Sequence, residues 1–326
     1  MENAKALLNH SSHSLKRLLD QLPKQCFWDD LDLHQWEGFW YRPAHLEAAT
    51  VIRSHFEARD DDVILASHIK AGTNWLKALC FSIMLRKNGA GNDEEEQDPL
   101  VNIIPFLCIK TLEVHVYEPN PSRNLLGMPS PRVFHTHLPY SALPDSIKNS
   151  KCKIVYITRN PKDTLTSMWH FFNTRRTPEQ GIYPFEKAFE SFCDGVHPFG
   201  PFFDHGLEYW KQSSNMPHKI LFLKYEDLKS DPKGELKRLA SFLGKPFVDE
   251  DENIIDKLLW RCSLERLKNL EVNNIGLEPT SGIPNSAFLR CGVVGDWKNY
   301  FTTEMKERLD QITLMKFEGS GLEFET

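Results

Sequence analysis

Ser67-His68-Ile69-Lys70-Ala71-Gly72-Thr73-Asn74-Trp75-Leu76-Lys77 is the stretch on which the rest of the chain turns. The apolar run Val63-Ile64-Leu65-Ala66 enters it with the length of a buried strand. The pattern Trp75-Leu76-Lys77-Ala78-Leu79-Cys80-Phe81-Ser82-Ile83-Met84-Leu85 leaves it as a helix. The unit is strand, tight turn, helix. Gly72 permits a sharp backbone path because it has no Cβ. Thr73 or Asn74 is placed to cap the helix. The free N–H groups at such a helix start attract phosphate or sulfate, and Lys70 adds a full positive charge just before the turn. The layout is P-loop-like, but it is not a Walker A loop: the lysine precedes the glycine, and G-x-x-x-x-G-K-[ST] is absent. Turns with a glycine and a lysine also occur where nothing binds, so the remaining sequence must decide.

The 326 residues suit one large α/β domain or two small ones. Hydrophobic residues at 40% and charged residues at 26% are ordinary for a globular protein. A net charge of −6 argues against a broad electrostatic grip on nucleic acid, so any anion site must be local. The seven cysteines are scattered, odd in number and never spaced C-x-x-C. That argues against a disulfide framework and against zinc, and it fits a reducing compartment. No apolar run reaches membrane-spanning length. Residues 1–10 lack the apolar region of a secretory signal, and Glu2 and Asp20 count against a transit peptide. The composition reads as a cytosolic protein, with neither nucleic acid nor membrane as partner.

Outward from the central stretch, the chain reads as a single domain over 1–326, with residues 1–21 as a flexible lead. Leu15, Leu18, Leu19 and Leu22 recur at helical spacing, followed by Phe27-Trp28 and Phe39-Trp40-Tyr41. Such aromatics pack on a core or line a pocket; Trp28 reads as packing, and Trp40 fits either. Residues 46–57 predict a helix with Leu46, Val51, Ile52 and Phe56 on one face. Residues 88–96 form a solvated acidic loop. In Ile103-Ile104-Pro105-Phe106-Leu107 the proline speaks against a central strand, and an apolar segment of this kind often covers a pocket. Arg132-Val133-Phe134-His135-Thr136-His137 predicts a short strand, and Lys153-Ile154-Val155-Tyr156-Ile157-Thr158 a buried one. Asn160 then caps a helix with Pro161 in its first turn. Residues 182–212 predict helices broken near His197-Pro198-Phe199-Gly200-Pro201. Lys219-Ile220-Leu221-Phe222-Leu223-Lys224 is another buried strand. Asp231-Pro232 opens a helix that Gly244 stops. Further helices follow at 250–260 and 263–270, then a loop over 274–296 and a last helix opened by Thr302 or Thr303.

This order predicts an α/β fold with a mostly parallel central sheet flanked by helices. Ligands of such sheets gather beyond the carboxyl ends of the strands. Lys70, His137, Arg159 and Tyr225 each stand at or just past such an end, so one site collects them.

Four separated stretches, in this order, resemble the cytosolic sulfotransferases that use PAPS (3′-phosphoadenosine 5′-phosphosulfate), most of all the soluble plant, flavonol-sulfotransferase-like type. They are Lys70-Ala71-Gly72-Thr73-Asn74-Trp75-Leu76; Thr136-His137-Leu138-Pro139; Arg159-Asn160-Pro161-Lys162-Asp163 with Ser167; and Phe288-Leu289-Arg290-Cys291-Gly292 with Gly295-Asp296-Trp297-Lys298-Asn299. Each is weak alone, and the four together are strong. The resemblance covers nearly the whole chain from Leu22. It implies sulfuryl transfer from PAPS to a hydroxyl of a small organic acceptor. It implies a 5′-phosphosulfate cradle of Lys70, Ala71, Gly72, Thr73, Asn74 and Trp75, with Lys70 stabilising the leaving group and Trp75 on adenine. Arg159, Ser167, Arg290, Cys291 and Gly292 match the 3′-phosphate contacts, and Tyr225 a nucleotide contact. His137 matches the base; a neutral imidazole suits removal of the hydroxyl proton. These residues call for no metal.

The resemblance also marks departures. Ile69, Ala71 and Asn74 stand where relatives commonly carry Pro, Ser or Thr, and Thr. His135 and Cys291 replace lysines, and Leu264 replaces an adenine-facing Phe. Phe106, Ile109 and Phe171 match acceptor-pocket positions, with Tyr140 nearby, although core packing explains each equally well. The acceptor class is flat or steroid-like, such as a flavonoid or another plant metabolite. Lys298 to Glu307 resembles a short dimer motif with Thr303 in place of Val, implying a monomer or weak homodimer. Two alternatives stay open: a relative that binds PAPS or its product PAP with little turnover, and a kinase-like enzyme. His137 and the lack of an Asp placed for a metal near the loop speak against the kinase.

Overall fold

The computed structural model describes residues 15–86, 98–116, 125, 127–248, 252–279 and 281–324. A three-stranded antiparallel sheet comes first: β1 (Lys24–Phe27), β2 (Leu31–Trp36) and β3 (Phe39–Tyr41). A five-stranded sheet follows, of β4 (Val63–Ser67), β5 (Lys110–Thr111), β6 (Val133–Thr136), β7 (Lys153–Thr158) and β8 (Ile220–Lys224). Its order is β5-β6-β4-β7-β8, and every pairing is parallel. The predicted α/β architecture is therefore found.

The central strands are buried on both faces, which is why they read as unbroken apolar runs. Their side chains alternate between two layers. Ile64, Ala66, Ile154, Tyr156 and Phe222 face one, with helices α1 (Pro43–His55), α3 (Pro161–Asn173), α4 (Phe185–Cys193) and α5 (Phe202–Asn215). Val63, Leu65, Val155, Ile157 and Leu223 face the other, with α2 (Thr73–Leu85), α7 (Pro232–Phe242) and α8 (Glu252–Arg261). A short α6 (Tyr225–Ser230) links β8 to α7, and α9 (Leu264–Asn269) and α10 (Thr303–Phe317) follow. Asn160, Asp231 and Thr302 cap their helices through the side chain.

Register positions the site. Ala66 pairs with Thr136, Ser67 with Ile157 and Thr158 with Lys224. Four strands thus end level, and the residues after them share one edge.

Two expectations change and a third, the placing of the aromatics, is settled. Residues 24–41, read only as an aromatic lead-in, form the small sheet. Its turns carry Trp28 and Asp29 at φ of 55° and 61°, and Glu37 and Gly38 at 50° and 87°. A residue-glycine pair between two aromatic runs was the available hairpin signal. Trp28, stacked on Phe27 and Tyr183 at 4.8 Å each, and Trp40 both belong to the core. The flexible lead is shortened at its far end: residues 15–21 are helical, and Leu18 and Leu19 pack on the core. The remainder of that lead, and the acidic loop at 88–96, lie outside the described residues.

Candidate active site

A cavity of about 390 Å³ opens beyond the carboxyl ends of the strands. It is lined by Lys70, Gly72, Thr73, Asn74, Trp75, His137, Arg159, Ser167, Tyr225, Arg290, Cys291 and Gly292. Of the expected cradle and 3′-phosphate residues, only Ala71 is missing: it is buried, and its N–H donates to the His68 carbonyl at 3.3 Å.

The loop turns on two left-handed residues, Lys70 at φ 65° and Gly72 at φ 109°. A Cβ on Gly72 would stand 3.0 Å from both Ile157 Cδ1 and Tyr225 Cδ2, so a side chain there is strained by the backbone and crowded by both neighbours. Helix α2 begins at Thr73 with Gly72 as its cap, so neither Thr73 nor Asn74 caps it. Both side chains are engaged elsewhere. Thr73 Oγ1 lies 2.7 Å from Ser67 Oγ, and the Asn74 amide donates to the Phe288 carbonyl at 3.1 Å.

Lys70 Nζ lies 4.2 Å over the Phe171 ring. Burial, with the nearby Arg290 and Arg159 charges, pulls its pKa down to about 7. Arg159, directly after β7, donates to the Val293 carbonyl at 2.8 Å and sits 4.5 Å over the Tyr225 ring. Arg290 pairs with Asp296. Yet the Nε of Arg159 and the Nε of Arg290 are both buried and without a hydrogen-bond partner. Two such donors beside one cavity fit an anionic ligand, because a buried unpaired donor is costly. Ser167 lies on α3, eight residues after Arg159, and lines the same cavity. The Tyr225 hydroxyl donates to the Gly292 carbonyl at 2.8 Å, and Gly292 is itself left-handed at φ 67°. The Trp75 ring meets Tyr225 edge-on at 5.3 Å.

His137 follows β6. Its Nδ1 lies 2.9 Å from the Ser67 carbonyl, which only accepts, so Nδ1 carries the proton and Nε2 is left as the acceptor. Burial lowers its pKa to about 3, the Ser67 carbonyl partly opposing. The ring is therefore neutral. Its backbone is fixed on both sides: the N–H donates to Glu113 Oε1 at 2.7 Å, and the carbonyl accepts from His205 Nε2 at 3.0 Å. His205 Nδ1 in turn takes the Tyr156 hydroxyl at 2.9 Å.

The far wall is aromatic. Phe106 and Phe171 line it as expected. Phe288, quoted in a motif but given no role, stands between them, 4.6 Å from Phe106 and 5.5 Å from Phe171. Ile109 and Tyr140 do not reach the cavity. Ile109 packs in the core under α2, and Tyr140 lies against Tyr209 at 5.7 Å. A smaller cavity of about 280 Å³ adjoins, sharing Lys70, Ser167, Phe171 and Arg290 and adding His170 and Thr174. His68 is buried against His197 and His205, away from the cavity.

Among the described residues no group of three His, Cys, Asp or Glu could hold a metal ion. No helix among them is long and apolar enough to cross a membrane. A family model described as "Sulfotransferase domain" matches residues 60–321. "Cytosolic sulfotransferase 5" of Arabidopsis thaliana is 41% identical, over 95% of this chain and 96% of its own. A Flaveria bidentis protein, "Flavonol sulfotransferase-like", is 40% identical, over 94% and 99%. The crystal structure of mouse sulfotransferase SULT7A1 complexed with PAP superposes with a TM-score of 0.68 at 30% identity, covering 88% of this chain and 95% of that one.

Proposed function

The chain belongs to the sulfotransferase family, and from that premise we propose that it transfers the sulfuryl group of PAPS to a hydroxyl of a small organic acceptor in the cytosol. One observation carries the reading: a neutral His137 with Nε2 free shares a single cavity with Lys70 and with the unpartnered Nε atoms of Arg159 and Arg290. The mouse relative complexed with PAP supports the choice of nucleotide.

PAPS, bound there, supplies the sulfuryl group and a phosphate leaving group. The chain's residues divide the remaining work. His137 takes the acceptor's hydroxyl proton at Nε2, while the Ser67 carbonyl holds the Nδ1 proton and steadies the cationic ring that results. Lys70 neutralises charge on the departing oxygen. The N–H groups of the loop and the Thr73 hydroxyl hold the 5′-phosphate at the helix start. Arg159, Ser167, Arg290 and the Gly292 backbone hold the 3′-phosphate, and Trp75 with Tyr225 brackets the base. With Cys291 in place of a lysine, the two arginines carry the 3′ charge between them. Phe106, Phe171 and Phe288 favour a flat, apolar acceptor, and the Flaveria relative's name agrees with a flavonoid-like one. No residue here requires a metal. The exposed Lys298, Thr303 and Glu307 suit at most a weak self-pairing segment.

Calorimetric titration with PAP, without magnesium, tests the cofactor. Wild type binds in the micromolar range and Lys70→Ala binds more weakly. No binding to wild type overturns the assignment. Hydroxyl acceptors are then screened with PAPS, with His137→Ala as the inactive control. Tight PAP binding with no turnover across flavonoid, steroid and phenolic acceptors would convert the reading to a nucleotide-binding relative.

A further inference from the structure

Lys77 has no part in the chemistry above, yet it is fully buried. It lies one turn after Thr73 on α2, outside the cavity lining. Its ammonium donates to the carbonyls of Phe106 at 2.9 Å and Ile109 at 3.0 Å, and to Thr111 Oγ1 at 3.0 Å. From there an unbroken chain runs back to the cavity. Thr111 Oγ1 is 3.3 Å from His135 Nδ1, His135 Nε2 is 3.2 Å from Ser67 Oγ, and Ser67 Oγ is 2.7 Å from Thr73 Oγ1. All five side chains are buried.

The protons in such a chain can run either way, and the two directions differ at the cavity. In one, each hydroxyl donates toward Thr73, and the Thr73 O–H is left to point at a ligand. In the other, Thr73 donates inward to Ser67 and turns only lone pairs to the cavity, which repel an anion. A lysine ammonium only donates. Thr111, accepting from it, is polarised to donate onward to His135 Nδ1. A proton on Nδ1 would also lie on the side facing the Lys77 charge. Burial first, and the Lys77 charge second, hold the His135 imidazole well below its ordinary range, so it carries one proton only. That proton belongs on Nε2, donated to Ser67, which then donates to Thr73.

We infer that Lys77 and His135 are positioning residues which, through Thr111 and Ser67, fix the Thr73 hydroxyl as a hydrogen-bond donor toward the 5′-phosphate end of the cavity. This rests on the nucleotide reading above. It also locates the cation that His135 does not carry: the charge stands behind the ring, at Lys77, rather than beside the ligand.

Two measurements on the full chain test it. The first needs no ligand: side-chain ¹⁵N NMR of wild type shows His135 as the Nε2–H tautomer. An Nδ1–H tautomer overturns the relay, whether or not any variant folds. The second is a double-mutant cycle with PAP affinity as readout. Lys77→Met and Thr73→Val each weaken binding about tenfold, and the double variant loses little more than either alone. Losses that add in full would mean Lys77 acts by general packing and would sink the inference. Failure of wild type to bind PAP sinks the nucleotide reading instead and leaves the tautomer result standing.

Discussion

The two ends of the cavity are built by different means. The anionic end takes Lys70, His137, Arg159 and Tyr225 from the level ends of β4, β6, β7 and β8. Sheet register sets their spacing, so each side chain is placed by a buried, hydrogen-bonded ladder. The aromatic end takes Phe106 from a single helical turn, Phe171 from the C-terminal half of α3 and Phe288 from a short 3₁₀ segment. Ring packing sets that geometry, together with the Asn74 amide on the Phe288 carbonyl and the Lys77 ammonium on the Phe106 carbonyl. A scaffold of the first kind holds charges where chemistry needs them. One of the second kind tolerates change of size and shape, which is why we propose that acceptor choice belongs there.

The largest expected effect comes from the strand-end residues. His137→Ala lowers kcat by about two to four orders of magnitude, while PAP affinity by calorimetry stays near wild type. A variant that keeps a tenth of the wild-type kcat would remove His137 as the base. Next comes a crossed pair. Arg290→Ala weakens PAP about tenfold or more, since it removes a charge-assisted donor, and leaves the acceptor KM in place. Phe288→Leu raises the acceptor KM several-fold and leaves PAP affinity alone. Should Phe288→Leu weaken PAP as much as Arg290→Ala does, the two ends are mechanically one. The Asn74 link to the Phe288 backbone would be the route.

A smaller perturbation probes the anionic end by shape alone. A Cβ on Gly292 would run into Leu264 Cδ2, at a backbone φ of 67°. Gly292→Ala therefore weakens PAP severalfold through strain in the loop beside Arg290, with the acceptor KM unmoved. Leu264→Ala in the same chain restores part of the affinity by clearing the contact. No recovery in the double variant would place the whole cost in the backbone.

What could be seen in the sequence follows the same division. β4, β7 and β8 of the large sheet read as near-continuous apolar runs, and a charged or titratable residue at or just past each strand end is conspicuous. Hence Lys70, His137, Arg159 and Tyr225 were legible together. The aromatic wall was not, because the chain holds 21 phenylalanines and a Phe in a pocket obeys the same pattern as a Phe in a core. Phe106 and Phe171 reach the cavity, while Ile109, by the same reasoning, packs beneath α2. The helix cap at Gly72 was missed for a related cause: Thr73 has a hydroxyl suited to capping, but the partner it finds is Ser67, and only tertiary structure supplies that. Lys77, within a helical run, carries no local sign of its burial. Its burial depends on three acceptors brought from residues 106–111, which no local pattern reveals.

The last effect, which needs no substitution, distinguishes the ends by their protons. The anionic end holds a group on the cavity surface poised to titrate near neutrality: Lys70, at about 7, with His137 far below it at about 3. In the free chain Lys70 is charged below pH 7 and neutral above it. Bound phosphate favours the ammonium and raises its pKa in the complex. Below pH 7 binding therefore moves no proton through Lys70. Above pH 7 it takes one up, and PAP affinity falls by up to about tenfold per pH unit until the pKa of the complex is passed. Calorimetry at pH 8 in two buffers of different ionisation enthalpy should show uptake approaching one proton, absent in Lys70→Met. Zero uptake by wild type would mean that Lys70 keeps its charge in the empty cavity, and that water, rather than Phe171 and the two arginines, dominates its surroundings. Acceptor binding carries no such group, so its affinity should stay flat across the same range. A matching slope there would couple the aromatic wall to the lysine beneath it.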